Sequence, residues 1–297
     1  FDDLESYFNN EPYFGAIVGR YANRIAKGQF SIDSKNYTLA QNNGDNALHG
    51  GLQGFNSKVW QAQTNQNSEQ VSLILSYQSP DGEEGYPGNL DVQVIYSLNQ
   101  NNQLKINYQA TCDQTTVINL THHSYFNLSG KCGSTILDHE IQIDADTITP
   151  VDKNLIPTGQ LLSVKDSPFD FRNKAKVNDR LFQSHPQLKR ANGLDHNFVL
   201  NKEQKQLKPC AEIHHPTSGR RIKMETTELG LQFYTGNFLD GTLKGKENHF
   251  YQQHEGLCLE AQSFPDSPNQ CTFPSTLLNP GERYQQTTLY QLSSSFI

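Results

Sequence analysis

No stretch of the 297-residue chain is apolar for long enough to span a bilayer as a helix. No secretory leader is visible at Phe1, although a chain that does not open on Met can have lost a targeting segment. The five cysteines, Cys112, Cys132, Cys210, Cys258 and Cys271, include no Cys-x-x-Cys pair. That excludes a zinc ribbon and a thioredoxin-like motif. Their odd count and wide spacing fit reduced thiols and a cytoplasmic protein. Basic residues are outnumbered, 24 Lys and Arg against 31 Asp and Glu, for a net charge of −7. Such a surface repels phosphate backbones and anionic lipid, so neither nucleic acid nor a membrane is an expected partner. There is no internal repeat and no low-complexity linker. Helical periodicity is scarce too, and segment 176–186 reads as a brief helix or an irregular loop.

What is present is a period of two. Segments 71–77, 90–96 and 104–110 alternate apolar and polar residues, as half-buried strands do. Further strands are predicted at 28–33, 36–40, 135–143, 221–226, 231–237, 256–262 and 287–292. Turn clusters separate them, among them Asn42-Asn43-Gly44-Asp45, Pro80-Asp81-Gly82 and Asn279-Pro280-Gly281. Many strands with turns between them favour an all-β sandwich or barrel. Three Asn-x-Ser/Thr sequons occur, at Asn36, Asn119 and Asn127, a pattern short enough to arise by chance.

Strand parity sorts the polar side chains. If 117–123 is one regular strand, Ile118, Leu120 and His122 share a core face. Asn119, Thr121 and His123 then share an open one, so His123 is the candidate for a site and His122 a packed, hydrogen-bonded residue. In 256–262, Leu257 and Leu259 point to the core, and Cys258, Glu260 and Gln262 point away. In 231–234, Gln232 and Tyr234 take the open face. A bulge would break each of these assignments. Neither His122-His123 nor His214-His215 can easily chelate one metal ion from a regular strand, because adjacent side chains point to opposite faces. Tyr125, Phe126 and Trp60 read as core more readily than as platforms for a bound ligand.

Six segments, in order, resemble the aldose 1-epimerase (galactose mutarotase) family. They are Gly19-Arg20-Tyr21-Ala22-Asn23-Arg24-Ile25-Ala26-Lys27-Gly28, Leu48-His49-Gly50-Gly51, Thr121-His122-His123-Ser124-Tyr125-Phe126-Asn127-Leu128, Leu194-Asp195-His196-Asn197-Phe198, Gln232-Phe233-Tyr234-Thr235-Gly236-Asn237, and Leu259-Glu260-Ala261-Gln262 with Phe264-Pro265-Asp266. The resemblance implies a large antiparallel β-sandwich, the galactose mutarotase-like supersandwich, with residues 1–297 as one domain. Relatives usually carry further strand sequence before Phe1, so N-terminal strands are expected to be missing. Ala261 stands where many relatives have Thr.

By matched position, Glu260 resembles the base that takes the anomeric hydroxyl proton, and His123 the acid that protonates the ring oxygen. His49 and Arg24 resemble the groups that position the ring near C1. Asp195 and Gln232 resemble partners of the sugar hydroxyls, with Asn23 assisting. The implied chemistry runs from ionised Glu260 and protonated His123, needs no metal or other cofactor, and takes a free aldose as its partner. A monomer or weak homodimer is expected. Arg20 rivals Arg24, each having the alternative of a surface ion pair, and Asp195 also suits a turn. Rival functions are a hexose-6-phosphate epimerase using Arg172, Arg220 or Arg221, a non-catalytic carbohydrate-binding module, and a glycosidase, which usually needs two flanking carboxylates.

Overall fold

The long alternating segments of the sequence pair into a nine-stranded antiparallel sheet. The computed structural model describes residues 1–8, 12–203 and 205–295. In order across the sheet, the strands are Ala175–Lys176, Glu140–Ile143, Lys208–His214, Arg220–Thr226, Tyr284–Ser294, Gln103–Cys112, Leu90–Asn99, Gln70–Ser79 and Gln61–Gln66. A five-stranded sheet follows the order Leu162–Ser163, Ala145–Ile148, Asp195–Leu200, Gly230–Tyr234 and Cys258–Gln262. Helix is confined to short pieces, of which Val177–Leu181 and Pro186–Ala191 are α-helical. The architecture is all-β.

The two sheets share one core. Val92, Val94, Ile106 and Tyr108 of the larger sheet join Phe198, Leu231, Phe233 and Leu259 of the smaller one in a single buried cluster. Each strand contributes every second residue to this layer, which is the pleat's own geometry. A smaller cluster, including Tyr21, Ile25, Phe30 and Tyr86, packs around the hairpin of Gln29–Ile32 and Lys35–Thr38.

Several expectations change in detail. Segment 135–143 is strand only over Glu140–Ile143. Segment 231–237 ends as strand at Tyr234. Segment 117–123 is not one strand. Thr116–Val117 pairs with Leu277–Leu278, and Thr121–His123 pairs with Ala16–Val18. Between them the buried Asn119 amide donates to the carbonyls of Ala22 and Ser263 and accepts from the Ser263 N–H. Those bonds replace ladder partners, yet the alternation survives, since Ile118 and Leu120 still enter the core. Arg20 is no surface residue. It is 2% exposed, and its guanidinium donates to the carbonyls of Ser79, Pro80, Pro87 and Gly88 and to the Ser79 hydroxyl. A cation inside the fold needs that many acceptors to offset its lost hydration. All five cysteines are free thiols. Among the described residues, no helix is long and apolar enough to cross a membrane.

Candidate active site

The face of the five-stranded sheet opposite the core is polar where three strands meet. Gln232 lies across from Asn197 on one side and from Glu260 on the other, and Tyr234 lies between Asp195 and Cys258. These side chains share one face by parity, while Leu231, Phe233 and Leu259 supply the core beneath. The strand Thr121–His123 is fastened alongside by the Thr121 hydroxyl, which donates to the Ala261 carbonyl at 2.8 Å. Just beyond it, Phe126 and Leu257 exchange backbone hydrogen bonds. His123 thereby sits beside Glu260, with Nε2 3.8 Å from Oε1.

A second structural unit closes on this face. Arg24–Ile25 pairs with Ala47–Leu48, with Arg24 opposite Leu48, and carries Arg24 and His49 to the same place. Asn23 and His49 are joined through the backbone and through His49 Nδ1, which accepts from the Asn23 N–H at 3.2 Å. The turn needs glycine at position 50. Its φ is +92°, and a Cβ there would lie 1.8 Å from the Gly19 carbonyl oxygen.

Together these elements surround a cleft of about 580 Å³, within the range of small-molecule sites. Asn23, Arg24, His49, His123, Asp195, Tyr234 and Glu260 all line it. Gln232 lies behind, donating to Asp195 Oδ1 at 2.6 Å. Arg24 reaches Asp195 Oδ2 at 3.8 Å and donates to the Asn43 side chain at 3.0 Å. Asp195 opens a strand and does not cap a turn. His122, on the other side of its strand, packs against Tyr96 and hydrogen-bonds Ser124. Gln262 keeps the parity expected of it but is fully buried beyond the cleft's lining.

Parity did not single out Tyr13, Asn43 or Tyr125, which also line the cleft. Asn43 belongs to a turn cluster whose polar character was visible, and the two tyrosines are indistinguishable in sequence from core aromatics. The arginines considered for a phosphate lie elsewhere. Arg220 donates to the Leu128 and Ser129 carbonyls, Arg172 pairs with Asp170 and Asp146, and Arg221 faces Glu212.

Burial governs the electrostatics. It pushes the Glu260 carboxyl well above the ordinary carboxylate range, helped by the Asp195 charge and opposed by Arg24. It pulls the His123 imidazole down to about 3, with neighbouring His122 adding to the fall. His49 is likewise held well below its usual value by burial. Asp195 is raised by burial, against the pull of Arg24 and the Gln232 hydrogen bond. Burial therefore favours the uncharged pair of His123 and Glu260, not the ionised pair expected from sequence. Among the described residues, Glu260 Oε2 is buried with no hydrogen-bond partner, a polar atom left for a ligand to satisfy.

By distance alone, His49, His123 and Glu260 could gather around a metal ion. The hydrogen bonding favours another use. Because His49 Nδ1 accepts from Asn23, the proton of the neutral ring sits on Nε2, which makes that atom a donor and not a ligand. The cluster of Asp138, His139 and His215 is similar. His139 Nε2 accepts from the Leu128 N–H and His215 Nδ1 from the Ser218 N–H, so each ring turns an N–H to Asp138.

A carboxyl and an imidazole 3.8 Å apart in one cleft, with a cation and hydrogen-bonding groups around them, are the furniture of a site for small, hydroxyl-rich molecules. Comparison with known proteins specifies which. The aldose 1-epimerase family model matches residues 1–291, and the chain belongs to that family. It is 51% identical to the galactose mutarotase of Bos taurus over 293 residues, 99% of this chain and 82% of that protein. Against the aldose 1-epimerase of Escherichia coli it is 41% identical over 290 residues, 97% of this chain and 82% of that protein. The crystal structure of galactose 1-epimerase from Lactobacillus acidophilus superposes with a TM-score of 0.87 at 31% identity, covering 99% of this chain and 83% of that one. The protein is thus an isomerase that interconverts the α and β anomers of an aldose.

Proposed function

We propose that the substrates are free hexoses such as galactose and glucose, and that Glu260 and His123 carry the two proton transfers. Ring opening removes a proton from the anomeric hydroxyl and adds one to the ring oxygen. Rotation about C1–C2 then presents the other carbonyl face, and closure reverses the transfers. Glu260 takes the hydroxyl proton and His123 supplies the ring oxygen. The observation that carries this reading is the 3.8 Å approach of His123 Nε2 to Glu260 Oε1, with Oε2 unpartnered in the same cleft.

The uncharged resting pair fits this scheme. The pair holds one proton in either form, and moving it from Glu260 to His123 leaves the total unchanged. An anomeric hydroxyl that donates to Glu260 stabilises the carboxylate and so favours that transfer. His49 donates from Nε2 to the oxygens near C1, and Arg24 adds positive charge beside them. Asp195, aimed by Gln232, accepts from sugar hydroxyls, and Asn23 holds His49 in its tautomer. The reaction draws on no cofactor. A single β-sandwich domain carries it, in a cytoplasmic monomer or weak homodimer. The test is polarimetry on freshly dissolved α-D-galactose and α-D-glucose with purified protein. A relaxation rate no greater than that of buffer would reject the proposal.

A further inference from the structure

The imidazole of His123 is a buried base that must become a cation during the reaction, and desolvation opposes that charge. Its surroundings are specific. Cys258 Sγ lies 3.6 Å from Nδ1, and Glu260 Oε1 lies 3.8 Å from Nε2. His49 approaches edge-on, with ring centres 5.3 Å apart and planes at 72°, and Tyr234 does so at 6.5 Å and 76°. Two other rings are nearly parallel to it. Tyr125 stacks at 5.1 Å with an 18° tilt, and Tyr13 at 5.9 Å with a 22° tilt.

Both stacked rings present their π faces within the roughly 6 Å at which a cation is attracted by the aromatic quadrupole. No carboxylate other than Glu260 contacts His123 in an ion pair among the described residues. The tyrosines are themselves locked. Tyr125 contacts Phe14 edge-to-face at 4.5 Å, and Tyr13 contacts the His49 ring at 4.7 Å. Burial pushes the Tyr125 hydroxyl well above its usual range, so it stays neutral and adds no charge of its own.

We infer that Tyr125 and Tyr13 are positioning residues for the reaction, whose stacked rings hold the His123 imidazolium in plane and stabilise its charge. They substitute for the second carboxylate that a buried catalytic histidine otherwise uses. The arrangement suits a reversible reaction, because a π face attracts the cation without taking its proton. This inference rests on the proposed role of His123 as the proton donor.

The experiment separates the two. In a Glu260→Gln background His123 titrates without its carboxylate partner, and activity is not read at all. NMR of ring-¹⁵N-labelled histidine follows His123 between about pH 7 and about pH 2.5, a window that contains the value of about 3 to which burial draws it, with its signal assigned by loss in His123→Gln. Remaining titratable neighbours are His49, His122, Cys258, Tyr13, Tyr125 and Tyr234, and each is unchanged in the variants that do not name it. Tyr125→Phe and Tyr13→Phe retain the π face and keep the His123 midpoint within a few tenths of a unit of the parent's. Tyr125→Leu lowers it by about one unit, and Tyr13→Leu lowers it by less, since that ring is farther away. If Tyr125→Leu does not fold, the Tyr13 pair carries the comparison. A leucine midpoint equal to or above the phenylalanine midpoint overturns the inference, as does an imidazole that stays neutral across the whole range in the parent.

Discussion

His49 accepts, at Nδ1, the backbone N–H of Asn23 at 3.2 Å. The bond leaves a proton on Nε2 and makes His49 a neutral donor into the cleft, while its neighbour His123 keeps Nε2 beside Glu260. Two histidines 5.3 Å apart thus stand in different surroundings, one fixed in its tautomer by a backbone N–H and the other beside a carboxyl. A His49→Gln variant, whose amide can still donate, is expected to retain at least tenfold more kcat/KM than His49→Ala (about 1.4 kcal/mol, within the range of a hydrogen bond to a developing charge). Polarimetric initial rates give both values.

Glu260→Gln is expected to lose about 10²–10⁴-fold in kcat while its circular dichroism and thermal midpoint stay close to the parent's. The side chain keeps its volume and loses only its proton acceptance. Near-parental mutarotation would remove Glu260 from the chemistry.

The rate against pH is expected to be bell-shaped, because the pair works with one proton between its two members. The acid limb marks addition of a second proton, and the alkaline limb marks loss of the one in use. Both apparent values belong to the pair. Burial raises Glu260 and draws His123 toward about 3, which spreads the limbs apart. Tyrosine stacking moves the acid limb back upward. Polarimetry with buffer-catalysed rotation subtracted measures the profile, and a flat result with chemistry limiting contradicts the pairing.

Asp195→Asn is expected to reduce kcat/KM by about 10- to 100-fold, the scale of a hydrogen bond to a charged group. It removes the negative partner of Arg24 and replaces the charged acceptor to which Gln232 donates at 2.6 Å with a neutral one. Galactose and glucose compared side by side show which hydroxyl contact is lost, through unequal effects on the two sugars.

The contribution of His139 to stability is expected to fall as the pH drops from about 6.5 toward 4. Burial lowers His139 to about 4, so the unfolded chain binds the proton before the folded one does. The stabilisation is complete above the unfolded value and is lost on acidification through the folded one. His139→Gln removes this contribution, and its melting temperature is expected to depend less steeply on pH over the same interval.

Gly50→Ala is expected to destabilise the fold by several kcal/mol or prevent its expression as a folded protein. The added methyl meets the Gly19 carbonyl in a backbone held at positive φ. Urea unfolding of the soluble fraction measures the loss.

Alternation determined that Glu260 faces away from the core with Leu259 facing in, because a pleated strand leaves no other choice, and the same alternation gave His123 its side although 117–123 is broken at Asn119. The ordered segments around Asn23, His49 and Asp195 placed the chain in its family before any coordinates. Tertiary structure alone decided the rest. Arg20 and Arg24 are four residues apart and both cationic, yet one is enclosed by carbonyls contributed by residues 79–88 and the other faces Asp195. Tyr13 and Tyr125 become partners of His123 only when separate segments pack together. Protonation states followed the same division, since burial and a backbone N–H at His49 set them. Local sequence encodes the direction a side chain takes from its strand, whereas its charge and its neighbours depend on what distant segments bring within a few ångströms.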